Sequence, residues 1–194
     1  AQVLASGRSN VIGVILPSLT NIVFGDVLQG IYDRIEGSGF HIQIGNTRYS
    51  VDEEDRLVAL FAGQRAAAML LTGIDKSAAT CNRPVVQIME YTPRPIDMLV
   101  GVSHADAGHA AVDYLLSRGY RRIGFLGARM DPRMLRRRDG YRAALRKAGL
   151  YDPALEISTP APSGVARGRA LCSQLLAAAP DVDAAFCAND DIAL

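Results

Sequence analysis

Short apolar runs alternate with segments of helical periodicity along the whole chain, and no other feature narrows the possible folds so far. Val11-Ile12-Gly13-Val14-Ile15-Leu16 is apolar, β-branched and bounded by Pro17, the pattern of a parallel strand buried on both faces. Thr20 and Asn21 offer N-caps for a helix carrying Phe24, Leu28, Ile31 and Ile35 at helical spacing, stopped by Gly37 and Gly39. His41 to Gly45 reads as a second strand. Ser50-Val51-Asp52-Glu53 spells a capping box, opening a helix with Leu57, Leu60 and Phe61 on one face and Gly63 at its end. Strands are expected at 66–71 and 85–89. So few residues separate these two that either a single helical turn joins them or residues are missing there.

Further strands are expected at 98–103, 123–126, 156–159 and 184–188. Helices are expected at 104–117, from Asp131-Pro132 to Gly149, and at 165–178. The first of these turns Val112, Leu115 and Leu116 inward. Repeated βα units of this kind predict an α/β protein with doubly wound parallel sheets.

Composition removes several classes of function. The chain has 194 residues, 49% hydrophobic and 21% charged, enough to bury a core without a disulfide or metal staple. No apolar run approaches the ~20 residues of a membrane span, and residues 1–10 lack a signal-peptide core. Cys81, Cys172 and Cys187 are odd in number and share no CxxC spacing, so a reducing cytoplasm is the simplest home. The net charge of +1 does not provide the basic footprint of a nucleic-acid-binding surface. Within the basic set only Lys76 and Lys147 are lysine; the rest are arginine, the residue suited to bidentate carboxylate or phosphate recognition.

Catalytic motifs are absent: no GxxxxGK[ST], no GxGxxG after a strand, no GxSxG and no HExxH. His41, His104 and His109 have no paired carboxylate at a metal-ligand spacing, and His104 and His109, five apart, diverge on a helix. Asp190 and Asp191 beside Asn189 suit helix capping or ligand hydrogen bonding better than acid–base chemistry. The expectation is a protein that is not an enzyme, with no metal and no cofactor.

Doubly wound sheets bind ligands beyond the carboxyl ends of their strands, which directs attention to the loops there. In the helix opened by Asp131, the residues Met134, Tyr141, Leu145 and Ala148 define the buried stripe, and Arg137 lies among them. Arg133 sits one turn earlier on the same side, whereas Arg136 and Arg138 point to a solvated face. A cation on the inward face requires an internal carboxylate or a bound anion, and both readings stand for Arg137. The other strand ends offer similar choices. Asn21 caps a helix or contacts ligand, and Phe24 is core or contact. Arg48 and Thr72 are loop residues or contacts, and Asp106 is a first-turn carboxylate or a contact. Asn189, at the last strand tip, is read as a contact. Such a polar cleft, rich in arginine and without tryptophan, fits an acidic, acyclic, hydroxyl-rich ligand.

The segment Ser6 to Asn21, continuing through Phe24, Val27-Leu28 and Gly30-Ile31, resembles the junction after the hinge helix in LacI-type bacterial repressors. Leu126-Gly127-Ala128-Arg129, then Arg137-x-x-Gly140-Tyr141, then Phe186-Cys187-Ala188-Asn189-Asp190-Asp191 resemble the sugar-binding core of the same family. Pro17-Ser18-Leu19-Thr20-Asn21 together with Leu126 to Arg129 is most similar to gluconate operon repressors. The resemblance implies a two-lobed, periplasmic-binding-protein-like fold with effector bound between the lobes. It implies a hinge exit over 1–10, an N-terminal lobe over 11–103 and a C-terminal lobe over 104–194, incomplete at its end. It places Asn21, Phe24, Arg48, Thr72, Asp131, Arg133, Arg137 and Asn189 on ligand-contacting positions. Ser103-His104-Ala105-Asp106 departs from the commoner Asp-Asn pair and is similar to a Ser-His-x-Asp variant, which points to Asp106. The implied function is allosteric: a homodimer senses a sugar or sugar acid, gluconate foremost, and controls operator DNA through a helix-turn-helix head outside this chain. A periplasmic sugar-binding protein of a transport system is the alternative. Ser6-Gly7-Arg8-Ser9 matches a hinge exit rather than an export site.

Overall fold

The computed structural model describes residues 9–73, 82–91 and 95–194, which divide into two compact units meeting in sequence at Gly101 and Val102. The expected crossover between the third and fourth strands falls on 74–81, outside the described residues.

The first unit is built on β1 (Val11–Leu16), β2 (His41–Asn46), β3 (Ala68–Leu71), β4 (Val85–Ile88) and β5 (Met98–Val100). Helices α1 (Ile22–Ile35) and α2 (Val51–Gly63) follow β1 and β2. The sheet is parallel throughout, in the order β2-β1-β3-β4-β5. Strand β1 is paired on both sides, with Val11 opposite His41 on one and Ile12 opposite Ala68 on the other. Its alternation separates two cores. Ile15 joins Leu57, Val58 and Phe61 under α2, while Val14 and Leu16 pack with Phe24 and Ile88 under α1.

The second unit contains α3 (His104–Ser117), β6 (Ile123–Ala128), α4 (Pro132–Lys147), β7 (Glu156–Thr159), α5 (Val165–Ala178), β8 (Ala184–Cys187) and the short α6 (Asp190–Ala193). Its sheet, β7-β6-β8, is also parallel. Every residue of β6 is buried: Ile123 and Phe125 face α3 and α4, and Leu126 and Ala128 face α5. The Tyr141 hydroxyl crosses to β6 and donates to the Ile123 carbonyl oxygen at 2.8 Å.

Some local expectations are corrected. Leu60 is 40% exposed, and Val58 completes the α2 stripe instead, because Leu57, Val58 and Phe61 centre the buried arc away from Leu60. The capping box is half made: Ser50 Oγ accepts from the Glu53 amide at 3.3 Å, but the Glu53 carboxylate turns outward to clamp Arg56 at 2.6 Å and 2.8 Å. Ala148 is exposed because α4 ends one residue before it, and Ala144 takes the buried place. Arg138 is half-buried rather than solvated, near enough for its charge to act on Glu156.

Helices α3 and α4 cross through glycine. A Cβ on Gly108 would collide with the Arg137 carbonyl oxygen, and one on Gly140 with the Ala105 carbonyl oxygen. Neither neighbour is a flexible side chain, so any added methyl must push main chains apart. Helix α4 is braced to β7 by Arg142, whose Nε and Nη2 donate to the two Glu156 carboxylate oxygens at 2.7 Å and 2.6 Å, with the Tyr151 hydroxyl adding a third bond. Burial works against the charged Glu156 carboxylate, but the hydrogen bonds from Arg142 and Tyr151 prevail and hold its pKa below the usual glutamate range.

Two predictions follow from these contacts. Gly140→Ala is expected to cost about 1–3 kcal/mol by overpacking, whereas Gly25→Ala, facing open space on exposed α1, gains up to about 1 kcal/mol. Urea denaturation of the two variants separates these signs. A carboxyl whose pKa is lowered on folding stabilises above its unfolded value and loses that contribution as pH falls through its folded value. The Glu156 contribution is therefore present at neutral pH and is lost progressively as pH falls below the ordinary glutamate range and through the lowered folded value. Unfolding midpoints measured between neutral and acid pH should fall more steeply for the native protein than for Glu156→Gln.

Candidate functional site

In the first unit the strand order reverses at β1, so the carboxyl ends of β1 and β3 flank a topological switch point. Ser18 Oγ accepts from the Thr20 and Asn21 amides at 3.3 Å and 3.2 Å, shaping the loop after β1. Asn21 Oδ1 accepts from the Val23 amide at 3.0 Å and caps α1. Phe24 lies in the α1 core, 6% exposed. Thr72 follows β3, is buried, and its hydroxyl donates to the Ile15 carbonyl oxygen at 3.2 Å. Arg48 follows β2 and is exposed, with its amide donating to Asn46 Oδ1 at 3.1 Å.

Backbone strain collects at the same ends of the strands. Six described non-glycine residues have positive φ, and five follow strands: Arg48 and Tyr49 after β2, Met89 after β4, Arg129 and Met130 after β6. Each costs on the order of 1–3 kcal/mol, and such strain persists where surrounding structure overrides it, often at binding loops.

In the second unit the carboxyl ends of β6 and β8 gather the polar residues. Asp131 ends the loop after β6, and its Oδ1 accepts from the Arg133 and Met134 amides at 2.9 Å and 3.2 Å, starting α4. Arg133 Nε lies 3.9 Å from that carboxylate, and both side chains are about 15% exposed. One turn on, Arg137 Nε donates to His104 Nδ1 at 3.1 Å and its Nη1 donates to the Ala188 carbonyl oxygen at 2.5 Å. Ala188 directly follows β8. Asn189 comes next, with Oδ1 accepting from the Ile192 amide at 3.2 Å. Asp106 is exposed in the first turn of α3, and its amide donates to Ser103 Oγ at 3.1 Å.

The structure thus brings Arg137, His104 and the Ala188–Asn189 junction together. Arg133 and Asp131 stand one turn away, while Asp106 lies outside this contact set. His104 is the residue that sequence reasoning missed: it was set aside as a metal ligand, and the Ser-His-x-Asp variant that contains it pointed to Asp106 instead. A usable signal was present: Gly108 lies four residues after His104 and Gly140 three after Arg137, so one close helix crossing sits beside both side chains. Among the described residues no group of three His, Cys, Asp or Glu side chains could hold a metal ion, and no helix is long and apolar enough to cross a membrane.

The family model for periplasmic binding proteins and the sugar binding domain of the LacI family matches residues 9–194. The chain is 41% identical to the HTH-type transcriptional regulator GntR of Pseudomonas aeruginosa, a match covering all of this chain and 58% of that protein. It is 31% identical to the HTH-type transcriptional regulator GntR of Escherichia coli, covering all of this chain and 60% of that protein. The chain therefore spans about three fifths of the length of these curated relatives. Among solved structures, the transcription regulator GntR from Chromobacterium violaceum aligns with a TM-score of 0.88 at 40% identity, over 94% of this chain and 69% of that one.

The α4 cap can be checked directly. Asp131→Ala is expected to lose about 1 kcal/mol of stability (range 0.5–2), and Asp131→Ser much less, because serine supplies another cap oxygen. Thermal unfolding of both variants against the native protein measures the difference.

Proposed function

The chain belongs to the family of periplasmic binding proteins and LacI-type sugar-binding domains, and from that premise we propose that it recognises the effector of a transcriptional regulator. The effector class is a sugar acid, with gluconate the foremost candidate. One observation carries this reading: Arg137 is held at the carboxyl end of β8 by His104 Nδ1 and the Ala188 carbonyl, so its guanidinium is oriented before any ligand arrives. A fixed guanidinium with Arg133 one turn away and Asn189 adjoining suits an anionic, hydroxyl-bearing ligand better than a neutral sugar ring. The resemblance of Pro17 to Asn21 and of Leu126 to Arg129 to gluconate operon repressors supports the same ligand.

The relatives' roles as transcription regulators favour control of transcription over transport, and with it a cytoplasmic protein that acts as a dimer on operator DNA. Regulation of this kind is a population shift without chemical turnover. The effector moves the DNA-binding equilibrium only by its different affinity for two states, typically ~1–3 kcal/mol of coupling.

Arg137→Ala is expected to weaken gluconate binding by about 2–4 kcal/mol, the scale for losing charge-assisted hydrogen bonds. Arg137→Lys should recover only part, since an ammonium lacks the planar fork. Isothermal titration of the full-length protein and both variants measures this. Normal affinity alongside a lowered melting temperature would assign Arg137 a structural role only.

A further inference from the structure

We propose that Ser163 and Asp191 are a positioning pair of the effector site, a side-chain tie between the segments after β7 and β8 that sets the direction of the Asn189 carboxamide; this rests on the sugar-acid reading above. Ser163 lies in the loop between β7 and α5, and its Oγ donates to Oδ2 of Asp191 in α6 at 3.1 Å. Both residues are half-buried. Asn189 stands between β8 and α6, and its Oδ1 is held by the Ile192 amide at 3.2 Å. With the acceptor end of the carboxamide engaged, the two N–H donors on Nδ2 are the groups left to meet an acid or hydroxyl oxygen.

Helix α6 spans only Asp190–Ala193, and a single turn has too few hydrogen bonds to hold itself in place. Its placement comes from its neighbours. The Ile192 side chain is 4% exposed in the core under α5, and the Ile192 carbonyl oxygen occupies the space where Gly168 would carry a Cβ. These contacts seat one residue against α5 and leave the turn able to pivot about it. The Ser163–Asp191 bond ties the neighbouring residue to a different segment and stops that pivot. The tying segment is itself held: the Arg129 amide donates to the Ala161 carbonyl oxygen at 2.8 Å, and the Ala161 amide to Thr159 Oγ1 at 3.3 Å. Hydrogen bonds thus join the carboxyl ends of β6, β7 and β8. Because the Ile192 amide orients the carboxamide, any rotation of α6 turns Asn189 with it. A charged acceptor makes the Ser163 bond stronger than a neutral one would be.

The test measures gluconate affinity, melting temperature and the NMR order parameter of the Asn189 carboxamide in the full-length protein. Ser163→Ala is expected to lower the order parameter and to weaken gluconate about threefold to tenfold, the scale of one hydrogen bond lost. Asp191→Asn keeps an acceptor oxygen for Ser163 and is expected to retain the ordered carboxamide and most of the affinity. Asn189→Ala removes the donor itself, so adding Ser163→Ala to it is expected to change affinity no further. Losses that add in the double variant would show that Ser163 acts on the ligand independently of Asn189, and would overturn the proposal. So would a Ser163→Ala variant with native affinity and an ordered carboxamide, or one that loses only melting temperature. If the native protein binds no gluconate, the functional reading falls, and the order parameter in the native protein and Ser163→Ala alone upholds or overturns the positioning of Asn189.

Discussion

The close crossing of α3 and α4 is the constraint on which the second unit's polar geometry depends. Gly108 and Gly140 each face a main-chain carbonyl of the other helix, so the two backbones approach to a distance that no larger residue permits. From this contact the rest follows in order. Helix α4 starts at Asp131, runs past β6 with Met134, Tyr141 and Leu145 in the core, and is braced to β7 through Arg142 and Glu156. Helix α3 starts at Ser103 and turns His104 inward. Arg137 can meet both His104 and the Ala188 carbonyl only because these helices and β8 are held in one packed arrangement.

The energetic sense of that arrangement lies in preparation. An arginine side chain that must be immobilised on binding costs roughly 0.5–1.5 kcal/mol of affinity. Holding Arg137 through Nε and Nη1 moves that ordering into folding, where the core already restrains α4. The left-handed residues after β2, β4 and β6 belong to the same economy, since packed strands hold loops in conformations they would not choose alone. Asp131 contributes locally, anchoring the first turn of α4 so that Arg133 and Arg137 leave the helix at set heights.

What sequence could disclose followed the range of the forces involved. Helices α3 and α5 have the predicted limits because caps and stop signals act within a turn: Ser103 accepts from the Asp106 amide, and Gly119 takes the left-handed conformation after α3. Strand limits were less legible. Ala66 was expected in β3, but its amide donates to the Phe61 carbonyl and closes α2, and Ser103, expected in β5, caps α3. The parallel order of both sheets followed from the βα repeat. Arg137 was legible through its place on the α4 stripe, whereas its partners were not, because His104 and Ala188 are distant in sequence and only tertiary packing joins them. Phe24 and Thr72 show the converse: their core packing and carbonyl bond depend on β1, which local spacing does not reveal.

The most direct measurement is calorimetric titration of the full-length protein with gluconate and, separately, with glucose, which has the same carbon chain length but no carboxylate. The account predicts saturable binding of the acid and none of the neutral sugar at matched concentration, because an oriented guanidinium discriminates by charge. Equal binding of both, or preference for glucose, would contradict it and remove Arg137 from the centre of recognition.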